Sequence, residues 1–371
     1  MEAFPLRYAE PHHRGAERWI TLVRIETEDG AVGWGEAISQ QRGASLATRT
    51  LVDEAFAPLL IGADPANVEA LWAKMCQDAY WYGVEGIAAF AISAIDLALW
   101  DLKGKLLGEP VARLLGGQLK TAIPAMGSII FDMDDLDWTL GEFQSMRDDG
   151  YRIVKAGWGM TLDSVFGHDR KRDLEYLTAV REVIGDEIAL VVDVPGAQRV
   201  WDLPTAIRRL REWEQFDLRW VEQPLHPADL AGHRRLRAAT TTPIGTGEDE
   251  WSPETYRHVI ESEGVDVVQL DPGRCLGLTG CRATIGLVER AGISFSAHSW
   301  SGALNTAASL HMLATSRNAD TLDFKPHESP MQHEIVADPW AQVDGELELR
   351  EQPGLGVSVL EDVVRRLAAA S

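Results

Sequence analysis

Cysteine is scarce in this chain. Three residues in 371 (Cys76, Cys275 and Cys281) are too few and too scattered for a disulfide framework or a zinc cluster. A reducing, cytoplasmic setting is expected. Positive charge is also in deficit: 35 Lys and Arg stand against 57 Asp and Glu, a net charge of −22. A phosphate-backbone binder needs a cationic face, so nucleic acid is not expected as a partner, and neither is an anionic membrane surface. An anionic small substrate remains open, because a bound metal inverts the local field. No apolar run approaches the roughly 20 residues of a membrane span. The opening MEAFPLRYAEPHHRG lacks the basic-then-apolar pattern of a secretory signal. Low-complexity tracts and short-period repeats are missing too.

What is present is ordinary for a globular protein, with 45% hydrophobic and 25% charged residues. At about 150 residues per domain, the length suggests two domains or one large barrel with an addition. Residues 18–37 read as a hairpin, with strands Trp19–Thr27 and Ala31–Ala37 turning at Asp29-Gly30. Residues 44–60 and 66–80 have helical spacing. Gly86–Gly108 is a long, mostly apolar helix stopped by Gly108 and Pro110, too apolar for a surface and therefore buried between layers. Residues 1–118 thus read as a small α+β domain.

Beyond it, short β-rich runs alternate with helical stretches. Strands are expected at Ala122–Gly127, Arg152–Ala156, Ile188–Val194, Leu218–Glu222, Pro243–Gly247, Val265–Leu270, Ile293–Ala297 and Thr321–Phe324. Helical candidates between them include 170–183, 203–213, 228–238, 253–261, 280–290 and 302–315. Eight such units suit a closed (β/α)8 barrel over residues 119–345. A doubly wound open sheet is the competitor, weakened because no Gly-x-Gly-x-x-Gly follows the first strand.

The expected strand ends are unusually polar: Lys155, Asp193, Glu222, Glu248, Asp271 and His298, with Glu328 following the eighth strand. From Asp193 onward the steps run between 23 and 30 residues, each about one βα unit, so all seven groups should open into one cavity at the C-terminal mouth of the barrel. Asp193, Glu222 and Glu248 lie on three consecutive strands. Converging carboxylates repel, and a hard divalent cation such as Mg²⁺ resolves the repulsion. A single acid at a strand end more often caps the next helix; three at this spacing favour the metal. Asp271 beside His298 suits a general base, since the carboxylate fixes the tautomer and raises the basicity. Lys155 reads as a base or a carboxylate-binding cation, Glu328 as a donor or orienting group.

These motifs together resemble the enolase superfamily, in its mandelate racemase subgroup, over nearly the whole chain. AISAIDLALWDLKGKLLGEPVARLLGG (91–117) is similar to the link between capping domain and barrel. VVDV, WVEQPL and GTGEDEW resemble the three metal-ligand motifs, which puts Mg²⁺ on Asp193, Glu222 and Glu248. LDPGRCLGLTG with FSAHSW resembles the Asp–His dyad of Asp271 and His298, and the glutamate after the eighth strand carries onto Glu328. The resemblance implies an α/β fold: a (β/α)8-type barrel modified at its first strand, an N-terminal α+β capping domain, and a C-terminal segment, residues 346–371, packing back on that domain. It also implies substrate contacts from Trp158 and from the loop Arg7–Arg14, with His12 and His13 as candidates.

One departure stands out. Many members end the second strand in Lys-x-Lys, with the second lysine a base; here Gly157 holds that position. A lone Lys155 followed by Trp-Gly is closer to sugar-acid dehydratases of the L-rhamnonate type. The implied activity is Mg²⁺-dependent dehydration of an aldonate or aldarate to a 2-keto-3-deoxy acid. A racemase, epimerase or lactone cycloisomerase on the same site, or a relict barrel without catalysis, are the alternatives. The expected partners are a small anionic substrate and, as a homo-oligomer, further copies of the chain.

Overall fold

The computed structural model describes every residue except 14, 161–164 and 197–199, together with the side chain of His12, which is also outside the description. Three antiparallel strands open the chain in the order β1 (Glu2–Glu10), β2 (Ala16–Glu26) and β3 (Val32–Gln40). The expected hairpin is β2–β3, and Gly30 at its turn takes φ +87°. β1 was not anticipated. Half of the segment read as a substrate loop is strand as far as Glu10, followed by a 3-10 turn, Pro11–His13. Phe4, Leu6, Tyr8 and Glu10 face inward and Arg7 and Ala9 outward, an alternation disguised by Pro5 and by an acid on the buried face.

The helix Ile87–Leu107 lies directly on β3, apolar on nearly every side. The approach is so close that a Cβ on Gly33 would sit 2.2 Å from the Ala98 carbonyl, and one on Gly35 2.0 Å from that of Ala94. Only glycine permits this contact. On its other side this helix meets the barrel. Asp96 accepts from Thr279 at 2.6 Å (Oγ1) and 3.0 Å (N). Among the described residues no helix is long and apolar enough to cross a membrane.

Eight parallel strands follow: β4 (Ala122–Ile130), β5 (Ile153–Gly157), β6 (Ala189–Asp193), β7 (Leu218–Glu222), β8 (Ile244–Thr246), β9 (Val267–Leu270), β10 (Ser294–Ala297) and β11 (Ala319–Phe324). Each pairs with the next, and β11 pairs with β4, which closes the barrel. The first strand is parallel like the rest. Its peculiarity is an edge shared by two partners: residues 125–127 pair with β11, while 122–124 pair antiparallel with β12 (Glu346–Glu348). After β11 a full outer helix is replaced by the short Pro330–His333 and a tail. That tail donates Leu355 N–H to Asp101 at 2.9 Å, and its helix Glu361–Ala369 pairs Arg365 with Glu2 at 2.9 Å.

The strand period of two sets the interior. Met126, Ile153, Val191, Trp220 and Val267 form a separate apolar cluster inside the barrel. Two residues further along these strands, on the same face, stand Ser128, Lys155, Asp193, Glu222 and Gln269. The barrel is thus apolar below and charged toward its C-terminal mouth.

Candidate active site

The Lys155 ammonium sits at the centre of the charged layer. It lies 3.2 Å from Asp193 Oδ2, 3.2 Å from Asp323 Oδ2, and in direct contact with Glu222 Oε1. Burial alone would push its pKa down, but the surrounding carboxylates hold its proton and raise it well above the ordinary lysine value. Glu222 is the reciprocal case: burial pushes its carboxyl up, and Lys155 outweighs that to leave it lowered. Its other oxygen accepts from Trp220 Nε1 at 3.2 Å.

Asp193, Glu222 and Glu248 each offer an oxygen, all within 4.8 Å of one another. One lysine does not neutralise this set. Burial raises Asp193 well above its usual range and Glu248 to about 7, with the neighbouring acids adding to the effect. Asp193 Oδ1 is buried without a hydrogen-bond partner. Three hard oxygen donors, under-neutralised and incompletely hydrogen-bonded, fit a hard divalent cation.

The dyad stands on the next two strands. His298 Nδ1 lies 2.7 Å from Asp271 Oδ2, while Asp271 Oδ1 accepts from Asn305 Nδ2 at 3.0 Å and Gly273 N at 2.8 Å. Asp271 is therefore held on both oxygens. It orients the ring with Nε2 toward the cavity, 3.6 Å from Glu248 Oε2. Burial would lower the His298 pKa, but Glu248 and Asp271 overcome it and raise it to about 9. Asp271 is itself tied to the capping domain at one remove. Glu36 on β3 accepts from the backbone N–H groups of Gly302 (2.6 Å) and Asn305 (3.2 Å), at the start of helix Ala303–Leu313.

These groups surround a cavity of about 350 Å³. Its lining includes Lys155, Asp193, Glu248 and His298, and also Trp158 and His13. Trp158 adopts φ +56°, and its N–H donates to the Asp193 carbonyl at 3.1 Å. The side chain of His12 lies outside the described residues.

Glu328 is not brought to this cavity. It is exposed, four residues past the end of β11, where the chain has already left the mouth. The acid that β11 contributes is Asp323, buried against Lys155. The signal in the sequence was a charge inside an apolar run (Leu322-Asp323-Phe324), at the inward phase of the strand. Arg18, Arg274, Asp249 and Trp300 also line the cavity without having been singled out.

Comparison with known proteins agrees with this geometry. Residues 139–363 match the family model of enolase C-terminal domain-like proteins. Residues 5–116 match that of the mandelate racemase / muconate lactonizing enzyme N-terminal domain. A D-galactonate dehydratase of Xanthomonas oryzae pv. oryzae is 31% identical over 368 residues, 95% of this chain and 92% of that one. A D-galactarolactone cycloisomerase of Agrobacterium fabrum is 28% identical over 357 residues, 92% and 89% of the two chains. The solved L-talarate dehydratase of Polaromonas sp. JS666, complexed with Mg and L-glucarate, superposes with a TM-score of 0.85 at 29% identity, over 97% of this chain and 94% of that one. With its capping sheet, closed barrel and strand-end acids, the chain belongs to the enolase superfamily, in its mandelate racemase subgroup.

Proposed function

We propose that the protein is a Mg²⁺-dependent dehydratase of a sugar acid, an aldonate or aldarate. The observation that carries this reading is one oriented base, His298 on Asp271, facing three metal-type acids, with Gly157 where a second lysine base would stand. Asp193, Glu222 and Glu248 would hold Mg²⁺, whose positive charge would offset the substrate carboxylate and the charge that grows on it as the α-proton leaves, and would reduce the pull of Glu248 on the His298 proton. His298 Nε2 removes the proton α to the carboxylate. Lys155, its proton held by Asp193, Glu222 and Asp323, remains a cation and offsets the charge of the enediolate. The imidazolium then gives its proton to the 3-hydroxyl, which leaves as water. The resulting enol tautomerises to a 2-keto-3-deoxy acid.

The cycloisomerase among the relatives supports a second reading, in which the same proton abstraction precedes rearrangement of a lactone rather than loss of water. A relict barrel is disfavoured by the intact metal set, lysine and dyad. The deciding experiment is a screen of purified protein with Mg²⁺ against aldonates, aldarates and their lactones in deuterated solvent. Dehydration releases a 2-keto-3-deoxy acid. Lactone turnover without that product, or epimerisation without loss of water, replaces the dehydratase reading.

A further inference from the structure

Two guanidinium groups line the cavity, those of Arg18 and Arg274. Arg274 is engaged by the protein. It donates to the Asp249 carbonyl at 3.0 Å and is stacked 3.5 Å over the Trp251 ring, although its Nε too is buried without a hydrogen-bond partner and no described carboxylate pairs with it. One Arg18 Nη donates to His13 Nδ1 at 2.7 Å, Nε is buried without a hydrogen-bond partner, and among the described residues no carboxylate lies within ion-pair distance of it. In a chain with a net charge of −22, a half-buried guanidinium with no counter-ion among the described residues is conspicuous.

Arg18 is also held in place. Because His13 Nδ1 accepts from it, the ring carries its proton on Nε2, which donates to the Met160 carbonyl at 2.8 Å. Arg18 is the third residue of β2 in the capping sheet, His13 ends the turn after β1, and Met160 follows β5 of the barrel. The three bridge the mouth. The cavity thus carries metal-type acids and Lys155 at one place, and at another a planar cation that no carboxylate among the described residues neutralises.

We propose that Arg18 binds a second, distal carboxylate of the substrate, so that the protein acts on dicarboxylates (aldarates) in preference to aldonates. This rests on the sugar-acid reading above. A guanidinium matches a carboxylate in charge and with parallel N–H donors. A terminal CH₂OH at that place would leave donors of Arg18 and its charge uncompensated in a closed site.

The test has a binding arm and a turnover arm, both on the full chain with Mg²⁺. Calorimetry compares adipate with 6-hydroxyhexanoate, equal in length and lacking the 2-hydroxyl and 3-hydroxyl needed for reaction. Wild type should bind adipate at least about 10-fold tighter, the scale of one charge-assisted contact. Arg18→Met should erase the preference, Arg18→Lys should keep part of it, and Arg274→Met should leave it in place. Turnover of an aldarate and the aldonate of the same configuration should differ by about 10- to 100-fold in kcat/KM, mostly through KM, with the ratio collapsing in Arg18→Met. Equal handling of both ligands of a pair by wild type overturns the proposal and needs no variant. Loss of the preference in Arg274→Met but not in Arg18→Met overturns it as well. If adipate is preferred through Arg18 while no sugar acid is turned over, dicarboxylate recognition stands and the sugar-acid reading fails.

Discussion

A Cβ built on Gly157 would lie 1.9 Å from the carbonyl oxygen of Asp193. The position where the family pattern would place a second lysine is closed here by the backbone of a metal-type ligand, with β5 and β6 in register at this pair. The single-base reading proposed above thus has a basis in the strand packing, beyond the identity of one side chain.

Gly157→Ala should therefore force β5 and the end of β6 apart. The expected cost is about 1–3 kcal/mol of stability, the scale of overpacking a buried contact, with weakened Mg²⁺ binding because Asp193 moves. Thermal unfolding and a Mg²⁺ titration check both effects. Wild-type values in both would show that the space opens without strain.

Much of this arrangement was legible in the sequence. Val191/Asp193 and Trp220/Glu222 obey the strand period, and their spacing by whole βα units places them at one mouth. What escaped did so for physical reasons. Asp323 sits within its strand rather than at the end, whereas Glu328, the acid that follows the strand, is exposed. β1 escaped because Pro5 and an inward acid broke its pattern, and that acid, Glu10, is buried against Lys325 of the barrel, a partner 315 residues away. β12 has only three residues, too few for any periodicity. The role of Gly157 was visible as an identity, whereas its cause lies in the carbonyl of a neighbouring strand.

Glu222→Gln keeps the shape of the side chain and removes one anionic oxygen donor. Lys155 retains Asp193 and Asp323 as partners, so the fold should persist. Mg²⁺ affinity should fall at least about 10-fold, judged by the charge removed from a hard-ligand set, and Mg²⁺-dependent turnover should be lost. Calorimetric titration with the metal alone reads the first effect. Unchanged affinity would remove Glu222 from the metal set.

His311 gives a pH dependence far from the metal acids. It is buried, its Nδ1 accepts from Ala112 N–H at 3.2 Å, and burial lowers its pKa to about 4. The folded state thus binds fewer protons than the unfolded chain between about 6.5 and about 4. The stability held by the neutral ring is complete above that window and is lost as the pH falls through it, by roughly 3 kcal/mol in all. Glu36 and Asp96, both raised to about 7 by burial, act in the opposite sense, so the contribution is read as a difference. His311→Asn keeps an acceptor near Ala112 and removes the titration. Between pH 7.5 and pH 4 the urea midpoint of wild type should fall further than that of the variant. Parallel profiles would mean that His311 is protonated in the fold without penalty.

The most direct test of the account is α-proton exchange in deuterated solvent, followed by NMR on a turned-over sugar acid, for wild type, His298→Asn and Lys155→Met. His298 is the only oriented base among the described residues of the cavity, held by Asp271 at 2.7 Å. His298→Asn should abolish both exchange and release of the 2-keto-3-deoxy product. Lys155→Met should slow both together, through lost charge stabilisation of the enediolate. Continued exchange of the α-proton in His298→Asn, with wild type interconverting two epimers and releasing no water, would contradict the account and make Lys155 a base.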